Sequence, residues 1–237
     1  MANVLPMSRP PQTLLLPRGL ILLASLWLIV SWLIAIGVQA PVEASSASYT
    51  PGVRLMLMCV VIGLLIAWPL LRLSQPATAF PIRQTLLDLV VLLALVQMVI
   101  WPLRLITPWS TLRTAAIAAS LIGWTALAGA VVASAVGSPR AGPRNLAMLA
   151  CLTMCLAGPT IAWVKLVIGL EPGRSVSIGP PLEIYDLTGG GGAPLAGERW
   201  RWLVVLGLAS FAAWLGLSVA THLKNRRARV RQRLGES

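Results

Sequence analysis

The sequence predicts an all-α integral membrane protein: a bundle of six transmembrane helices with its N- and C-termini in the cytoplasm. Six apolar runs account for most of the 237 residues, and each can cross a hydrocarbon core of roughly 30 Å as a helix. Charged residues make up 11% of the chain, against about 25% in a typical soluble domain. The predicted spans are about 20–38, 55–73, 85–104, 114–136, 146–170 and 202–220.

Positive charge after the last apolar run sets the predicted orientation. The positive-inside rule assigns the basic tail, residues 221–237, to the cytoplasm, and six spans return the N-terminus to the same side. The inner segments then hold 12 Lys and Arg and the outer segments 6, with Lys165 inside a span. This outline predicts a multi-pass protein of a bacterial-type inner membrane. The basic tail residues are Lys224, Arg226, Arg227, Arg229, Arg231 and Arg233.

The first elements follow from proline, length and polarity. Four prolines predict an irregular cytoplasmic arm over residues 1–19, because proline removes backbone donors. Val38-Gln39-Ala40 has the spacing of a signal-peptide cleavage site, but the length of the apolar run favours a retained first helix. The polar stretch 41–52 then predicts an outer loop.

Spans two and three both end in Trp-Pro followed closely by Arg, at Trp68-Pro69 and Trp101-Pro102. This pattern predicts a tryptophan at headgroup level and a proline that closes the helix. An inverted internal repeat, as in some transporters, is the alternative. Only 89–103 of span three is free of charge, so a re-entrant segment is the alternative to a full span there.

Three polar side chains inside the spans, Asp88, Gln97 and Lys165, form the candidate intramembrane site. Asp88 is expected at a helix start near Arg72 or Arg83, where the helix dipole favours an acid; a proton or cation site is the alternative. Lys165 is expected to snorkel outward, roughly 20–25 Å from Asp88 in depth, so the two are not expected to pair. Gln97 is expected to make an interhelical hydrogen bond or to contact a substrate.

Spans four and five and the loop after them carry packing signals. Small residues four positions apart let helices approach closely, so span four is expected at the bundle centre or a subunit contact; an alanine-rich coding bias is the alternative. Gly158-Pro159 predicts a kink in span five. The outer loop 171–201, with Pro180-Pro181 and four glycines, is either a partner surface or a slack connector. The packing residues are Ala119, Gly123, Ala126 and Ala130.

The sequence predicts no catalytic residue, no metal site and no cofactor. Cys151 and Cys155 share a helix face near Met148 and Met154, a set that suits Cu(I), but core packing is the favoured interpretation. The single histidine, His222, cannot form a bis-histidine haem site alone. No nucleotide, hydrolase or zinc motif occurs, so an enzyme is not expected. Whether His222 or the two cysteines meet a cofactor within a complex stays open.

These features predict a non-catalytic membrane subunit that anchors or scaffolds a larger inner-membrane complex. Its expected partners are the lipid bilayer, anionic headgroups bound by the basic tail, and other membrane-protein subunits. The net charge of +12 lies in the tail and short loops, so nucleic acid is not an expected partner. The alternative function is a permease-type translocation subunit in which Asp88, Gln97 and Pro159 line a path.

Overall fold

The computed structural model describes residues 18–37, 45–78, 80–169, 179–191 and 193–235, without the side chains of 225 and 227–235. The predicted N-terminal arm up to residue 17, the Val38–Ala40 cleavage-site pattern, and 171–178 of the outer loop lie outside these residues. All regular secondary structure in the described residues is helical. Its helices are α1 Arg18–Trp32, α2 Ser46–Ile62, α3 Trp68–Ser74, α4 Pro81–Leu103, α5 Thr111–Val136, α6 Ala141–Val167, α7 Pro180–Gly189 and α8 Gly197–Gly235.

Six segments of the described chain are long and apolar enough to cross a membrane, which confirms the predicted multi-pass bundle. Helix α4, at 23 residues, runs unbroken through Asp88, so the third segment has the length of a full span. Helix α6 likewise continues through Pro159 as one 27-residue helix. The six segments are Arg18–Gly37, Ser46–Ser74, Pro81–Leu103, Thr111–Val136, Ala141–Val167 and Gly197–Lys224.

The second segment begins earlier than predicted. Ser45 and Ser48 form a capping box that satisfies free backbone groups at the start of α2. The helix therefore begins at Ser46, inside the polar stretch predicted as a loop, and includes Pro51. A π-helical turn over Gly63–Ala67 then joins α2 to α3, giving a continuous helical segment of 29 residues.

The two Trp-Pro pairs differ in structure. The prediction that Pro69 closes its helix is wrong, because α3 continues to Ser74. Proline has no N–H to donate, and the preceding π-helical turn alters the hydrogen-bond pattern at this point, so the helix continues. Trp68 is 3% exposed and therefore packs inside the bundle instead of facing headgroups. In the second pair Pro102 lies in the last turn of α4, as predicted, and Trp101 is 44% exposed.

Helix α5 lies at the centre of the bundle, as its small residues predict. It packs against α3, α4, α6, α7 and α8. Sixteen of its residues are buried, compared with seven in α4 and four in α6. The outer helices α6 and α8 therefore leave most of their surface uncovered by this chain.

Candidate functional site

Helix α7 begins inside the bundle, within the segment predicted as an outer loop. Gly179 at its start packs so closely on α6 that a Cβ there would lie 3.3 Å from the Cα of Gly158. Gly158 precedes the end of α6 by roughly 14 Å of helix rise. Gly179 also has a φ of +117°, which glycine adopts readily and other residues rarely do. The ten residues of α7, roughly 15 Å long, then return toward the face where α5 begins.

The first turns of α7 bring a carboxyl group, that of Glu183, into contact with two tryptophans. Glu183 is 1% exposed. The indole N–H of Trp124 in α5 donates to Glu183 Oε2 over 2.6 Å, and that of Trp202 in α8 donates to the same oxygen over 3.3 Å. Within the described residues, no hydrogen bond reaches Oε1 and no Lys or Arg nitrogen lies within 4.0 Å of the carboxyl.

The other end of α7 is capped by a buried arginine from α5. Arg113 is 4% exposed, and it donates through Nη1 to the Leu187 carbonyl at 2.8 Å and through Nη2 to the Ala193 carbonyl at 2.6 Å. A cation suits this position, because the carbonyl end of a helix carries partial negative charge. A Cβ on Gly190 would collide with the guanidinium. This part of the glycine run is therefore packed against Arg113 and is not a slack connector.

Two further arginines fix the sides of α7. The Arg54 guanidinium of α2 lies over the ring of Tyr185, 5.0 Å from its centroid, a cation–π arrangement. Arg199 of α8 pairs with Asp186 at 2.9 Å, and both side chains are partly exposed. With Glu183 and Arg113, these contacts hold α7 against α2, α5 and α8.

A second polar cluster lies at the opposite face, where α3 ends and α4 begins. Arg72 Nε lies 3.1 Å from Asp88 Oδ2, and the Asp88 side chain is 1% exposed. Gln84, one turn before Asp88, donates to Oδ1 over 3.2 Å. Asp88 thus pairs with one of the two expected arginines and not with Lys165, as predicted from their depths.

The structure does not bring Asp88, Gln97 and Lys165 together as one site. Nine positions along α4 put Asp88 and Gln97 on opposite sides of the helix. The expected interhelical bond of Gln97 is wrong for the described residues: its oxygen accepts from Trp101 of the same helix at 3.0 Å, and its buried amide nitrogen has no partner. Lys165 is half-buried in the last turn of α6.

The four packing residues predicted on α5 differ in how deeply they are buried. Gly123 lies against Leu206 of α8, where a Cβ would come within 2.8 Å of the leucine side chain. The Ser210 hydroxyl of α8 donates to the Gly123 carbonyl over 2.8 Å. Ala130 is buried and Ala126 half-buried, but Ala119 is exposed. Among these four residues, Gly123 shows the close approach that small side chains predict.

The remaining predicted residues have simple surroundings. Three predicted residues are exposed on α8: His222, Lys224 and Arg226. The helical backbone continues through Arg227, Arg229, Arg231 and Arg233, whose side chains are outside the described part of the chain. Cys151 and Cys155 are buried in α6. The described residues contain no group of three His, Cys, Asp or Glu side chains suited to a metal.

A cleft lies between α5 and α6. Its volume is about 450 Å³, and its walls are almost entirely apolar. Trp124, whose indole binds Glu183, and Gly179, at the start of α7, form part of its lining. The other lining residues are Leu146, Leu149, Ala150, Thr153, Met154 and Ala157.

Sequence reasoning missed Glu183, Trp124, Trp202 and Arg113 as members of a site. A local signal existed for α7 itself, because proline is favoured in the first turn of a helix and Pro180-Pro181 precede Glu183. The pairing of Glu183 with two tryptophans, however, joins residues that are 59 and 19 positions apart. No local pattern predicts contacts at those separations.

A scan against protein-family models finds no match, and searches of curated proteins and of solved structures find no significant similarity. The site and the surface of this chain therefore carry the functional evidence.

Proposed function

We propose that this protein is a non-catalytic subunit that anchors or scaffolds a larger inner-membrane complex, with both chain ends in the cytoplasm. Helix α8 is the observation that carries the proposal. It is one 39-residue helix whose apolar part ends near Lys224 and whose backbone stays helical through the basic segment to Gly235. The part beyond Lys224 adds roughly 17 Å of helix, long enough to emerge from the headgroup layer. It offers a basic docking element joined to a span.

The uncovered sides of the bundle supply surface for other subunits. Helix α8 buries only Leu203, Leu206 and Ser210 within the described chain. Exposed apolar side chains extend along the rest of it, including Val205, Phe211 and Leu215. Such a surface faces lipid in an isolated protein and partner helices in a complex. Van der Waals packing drives the association with partner helices.

Two of the charged clusters inside the bundle also favour a structural role. Asp88 is paired with Arg72, and Arg113 is bound to two carbonyls that belong to this chain. These groups therefore stabilise the bundle itself. Two apolar cavities, the α5–α6 cleft and a groove between α1, α2 and α4, offer few polar groups to a hydrophilic solute.

Co-purification from native membranes tests this proposal directly. The full chain, extracted in a mild detergent, should carry stoichiometric partner subunits identified by mass spectrometry. A variant with glutamine at the six basic tail positions, Lys224 to Arg233, should lose partners or anionic lipid while the bundle remains folded. Recovery of the native chain alone or only as a homo-oligomer would contradict the scaffold role.

A permease-type subunit is the second candidate, and α7 is the observation that favours it. Short helices that begin within a bundle form the substrate sites of several secondary transporters. Helix α7 has this form and carries Glu183 at its inner end. Ionisable groups in such positions are functional hypotheses by default.

Removal of the Asp88 charge separates the two candidates. Asp88→Asn alone leaves Arg72 buried without its partner, so the matched variant is R72Q/D88N, which removes both charges. If the protein is a scaffold, the double variant should keep its partners, and cells that carry it should have the same phenotype as cells with the native protein. Loss of the phenotype with partners still bound would favour the permease.

A further inference from the structure

The groove between α1, α2 and α4 has the length and the walls of an acyl-chain site. Its volume is about 180 Å³, and its lining is almost entirely apolar. Along α1 the lining runs from Leu20 to Leu28, roughly 12 Å of helix rise. One leaflet of a bilayer has a hydrocarbon depth of roughly 15 Å, half of the full core. The lining residues Leu23 and Trp27 are 45% and 38% exposed, so the groove is open to the side.

The walls of this groove are fixed by contacts between α1 and α2. The indole N–H of Trp27 donates to the Cys59 carbonyl over 2.9 Å. Gly63 leaves room for that indole, because a Cβ there would lie 2.6 Å from its nitrogen. Farther along the pair, Gly52 packs in the same way against the Ala35 carbonyl. Residue numbers rise along one helix as they fall along the other, so α1 and α2 are antiparallel.

This register brings two arginines to the same end of the groove. Arg18 is nine residues before Trp27 in α1, and Arg72 is nine residues after Gly63 in the continuous α2–α3 segment. Each therefore lies roughly 14 Å from the Trp27–Gly63 contact, in the same direction along the bundle. Arg72 directly follows Leu71, which lines the groove. The apolar walls thus end at a pair of cations.

Only one of these two cations is neutralised by a described residue. Arg72 pairs with Asp88 at 3.1 Å, whereas Arg18 is exposed and makes no ion pair with a described residue. Residues 1–17 contain no Asp or Glu. The one other acid in a segment on this face is Glu236, which follows the six basic residues of the tail. An apolar groove that ends at such an arginine is complementary to a lipid with an anionic head.

We propose that the groove binds one anionic phospholipid, with an acyl chain between Leu20 and Leu28 and its phosphate at Arg18. The guanidinium donates charge-assisted hydrogen bonds to the phosphate oxygens. A free phosphate would leave the apolar walls unused, so the lipid is the occupant that satisfies both parts of the site. The site is separate from the basic tail, because α8 contributes no residue to the groove. The inference goes beyond the scaffold role and does not depend on it.

Native mass spectrometry of the full chain in dodecyl maltoside tests the charge of the head. After lipid removal, the protein is mixed with dioleoyl phosphatidylglycerol or with dioleoyl phosphatidylcholine. We expect one retained phosphatidylglycerol and no retained phosphatidylcholine. Arg18→Gln should lower retention by about tenfold or more, whereas Arg18→Lys should keep it. Arg140→Gln, which changes an exposed arginine at the start of α6, is the matched control and should bind as the native chain does. Equal retention in Arg18→Gln and Arg140→Gln would refute the head site.

Two substitutions of alanine by phenylalanine test the chain site. Ala24 lines the groove, whereas Ala94 is exposed on α4 and lies outside the lining. Ala24→Phe should lose the bound lipid, and Ala94→Phe should retain it. Equal retention by both folded variants would overturn the proposal. So would a native chain that retains no phosphatidylglycerol, which is the result expected if residues before Arg18 fill the groove. The Arg18 variants test the site even if Ala24→Phe fails to fold.

Thermal unfolding separates this site from the tail. Phosphatidylglycerol should raise the melting temperature of the native chain by several degrees, because a ligand of the folded state stabilises it. Inorganic phosphate should not, and the variant with glutamine at the six basic tail positions should keep the shift. A shift lost in the tail variant but kept in Arg18→Gln would refute the groove site. Co-purification of partners reads out the scaffold role separately, so either proposal can fail alone.

Discussion

Arginine side chains do more in this protein than orient it in a membrane. Arg144 at the start of α6 donates to the carbonyls of Leu73, Gln75 and Ser138, which ties the end of α3 to the start of α6. Arg113 caps α7 and Arg72 neutralises Asp88. Charge counting treats these residues as equivalent to exposed ones such as Arg104. Their contacts instead make several of them determinants of the fold.

At the same scale, Gly123 should be intolerant of even one methyl group. Gly123→Ala is expected to destabilise the protein by about 1–3 kcal/mol, because its Cβ would collide with Leu206 where α5 and α8 are in contact. Gly207→Ala is the matched control in α8, since no heavy atom lies within 4 Å of the point that a Cβ would occupy there. It should be neutral or stabilising by up to about 1 kcal/mol through helix propensity.

Thermal unfolding of both glycine variants in the same detergent provides the comparison. A lower melting temperature for Gly123→Ala only would support the close approach of α5 and α8. Equal melting temperatures for the two variants would show that this contact is loose.

At the scale of the element, α7 is a short helix stabilised by its surroundings. Ten residues are too few for an isolated helix to be stable in water. Its inner side nevertheless buries Ile184, Leu187 and Thr188, and its contacts reach α2, α5, α6 and α8. The helix therefore depends on tertiary contacts, which makes it sensitive to the loss of its arginine cap.

Arg113→Gln should loosen α7 without unfolding the bundle. The loss of two charge-assisted hydrogen bonds is expected to lower the local stability of α7 by about 2–4 kcal/mol. Amide hydrogen exchange over 184–189 should then accelerate by about 30-fold or more, since 1.4 kcal/mol corresponds to a factor of ten. Arg104→Gln, which changes an exposed arginine, should leave that exchange unchanged. Slow exchange in both variants would contradict the capping role.

At the scale of the whole molecule, the sequence predicts the number of apolar helices. It does not predict where the short polar helix α7 lies or what its side chains contact. Runs of apolar residues fix the spans because length and hydropathy are local properties. The central position of α5 was also foreseeable, since small residues cluster along it. By contrast, the insertion of α7 depends on contacts between Glu183 and residues far away in sequence, and local patterning cannot encode those distances.

The orientation of the whole molecule is open to a direct experiment. Ala196→Cys lies just before α8, and Gly142→Cys lies at the start of α6 on the opposite face; both positions are exposed. In intact cells a membrane-impermeant maleimide should label the first variant at once and the second only after permeabilisation. The native thiols are half-buried or buried in helices and should stay silent. The reverse pattern would contradict the positive-inside orientation.

The contacts of α7 also imply an order of events during biosynthesis. Helix α7 is too short to be inserted as a span, and its carboxyl group needs Trp202 of α8 as well as Trp124 of α5. Trp202 is synthesised after α7, so the complete Glu183 contact cannot form while α7 is emerging from the ribosome. The contacts of α7 with Trp202 and Arg199 can close only after α8 has been made, so the complete docking of α7 becomes a late step in maturation of the bundle.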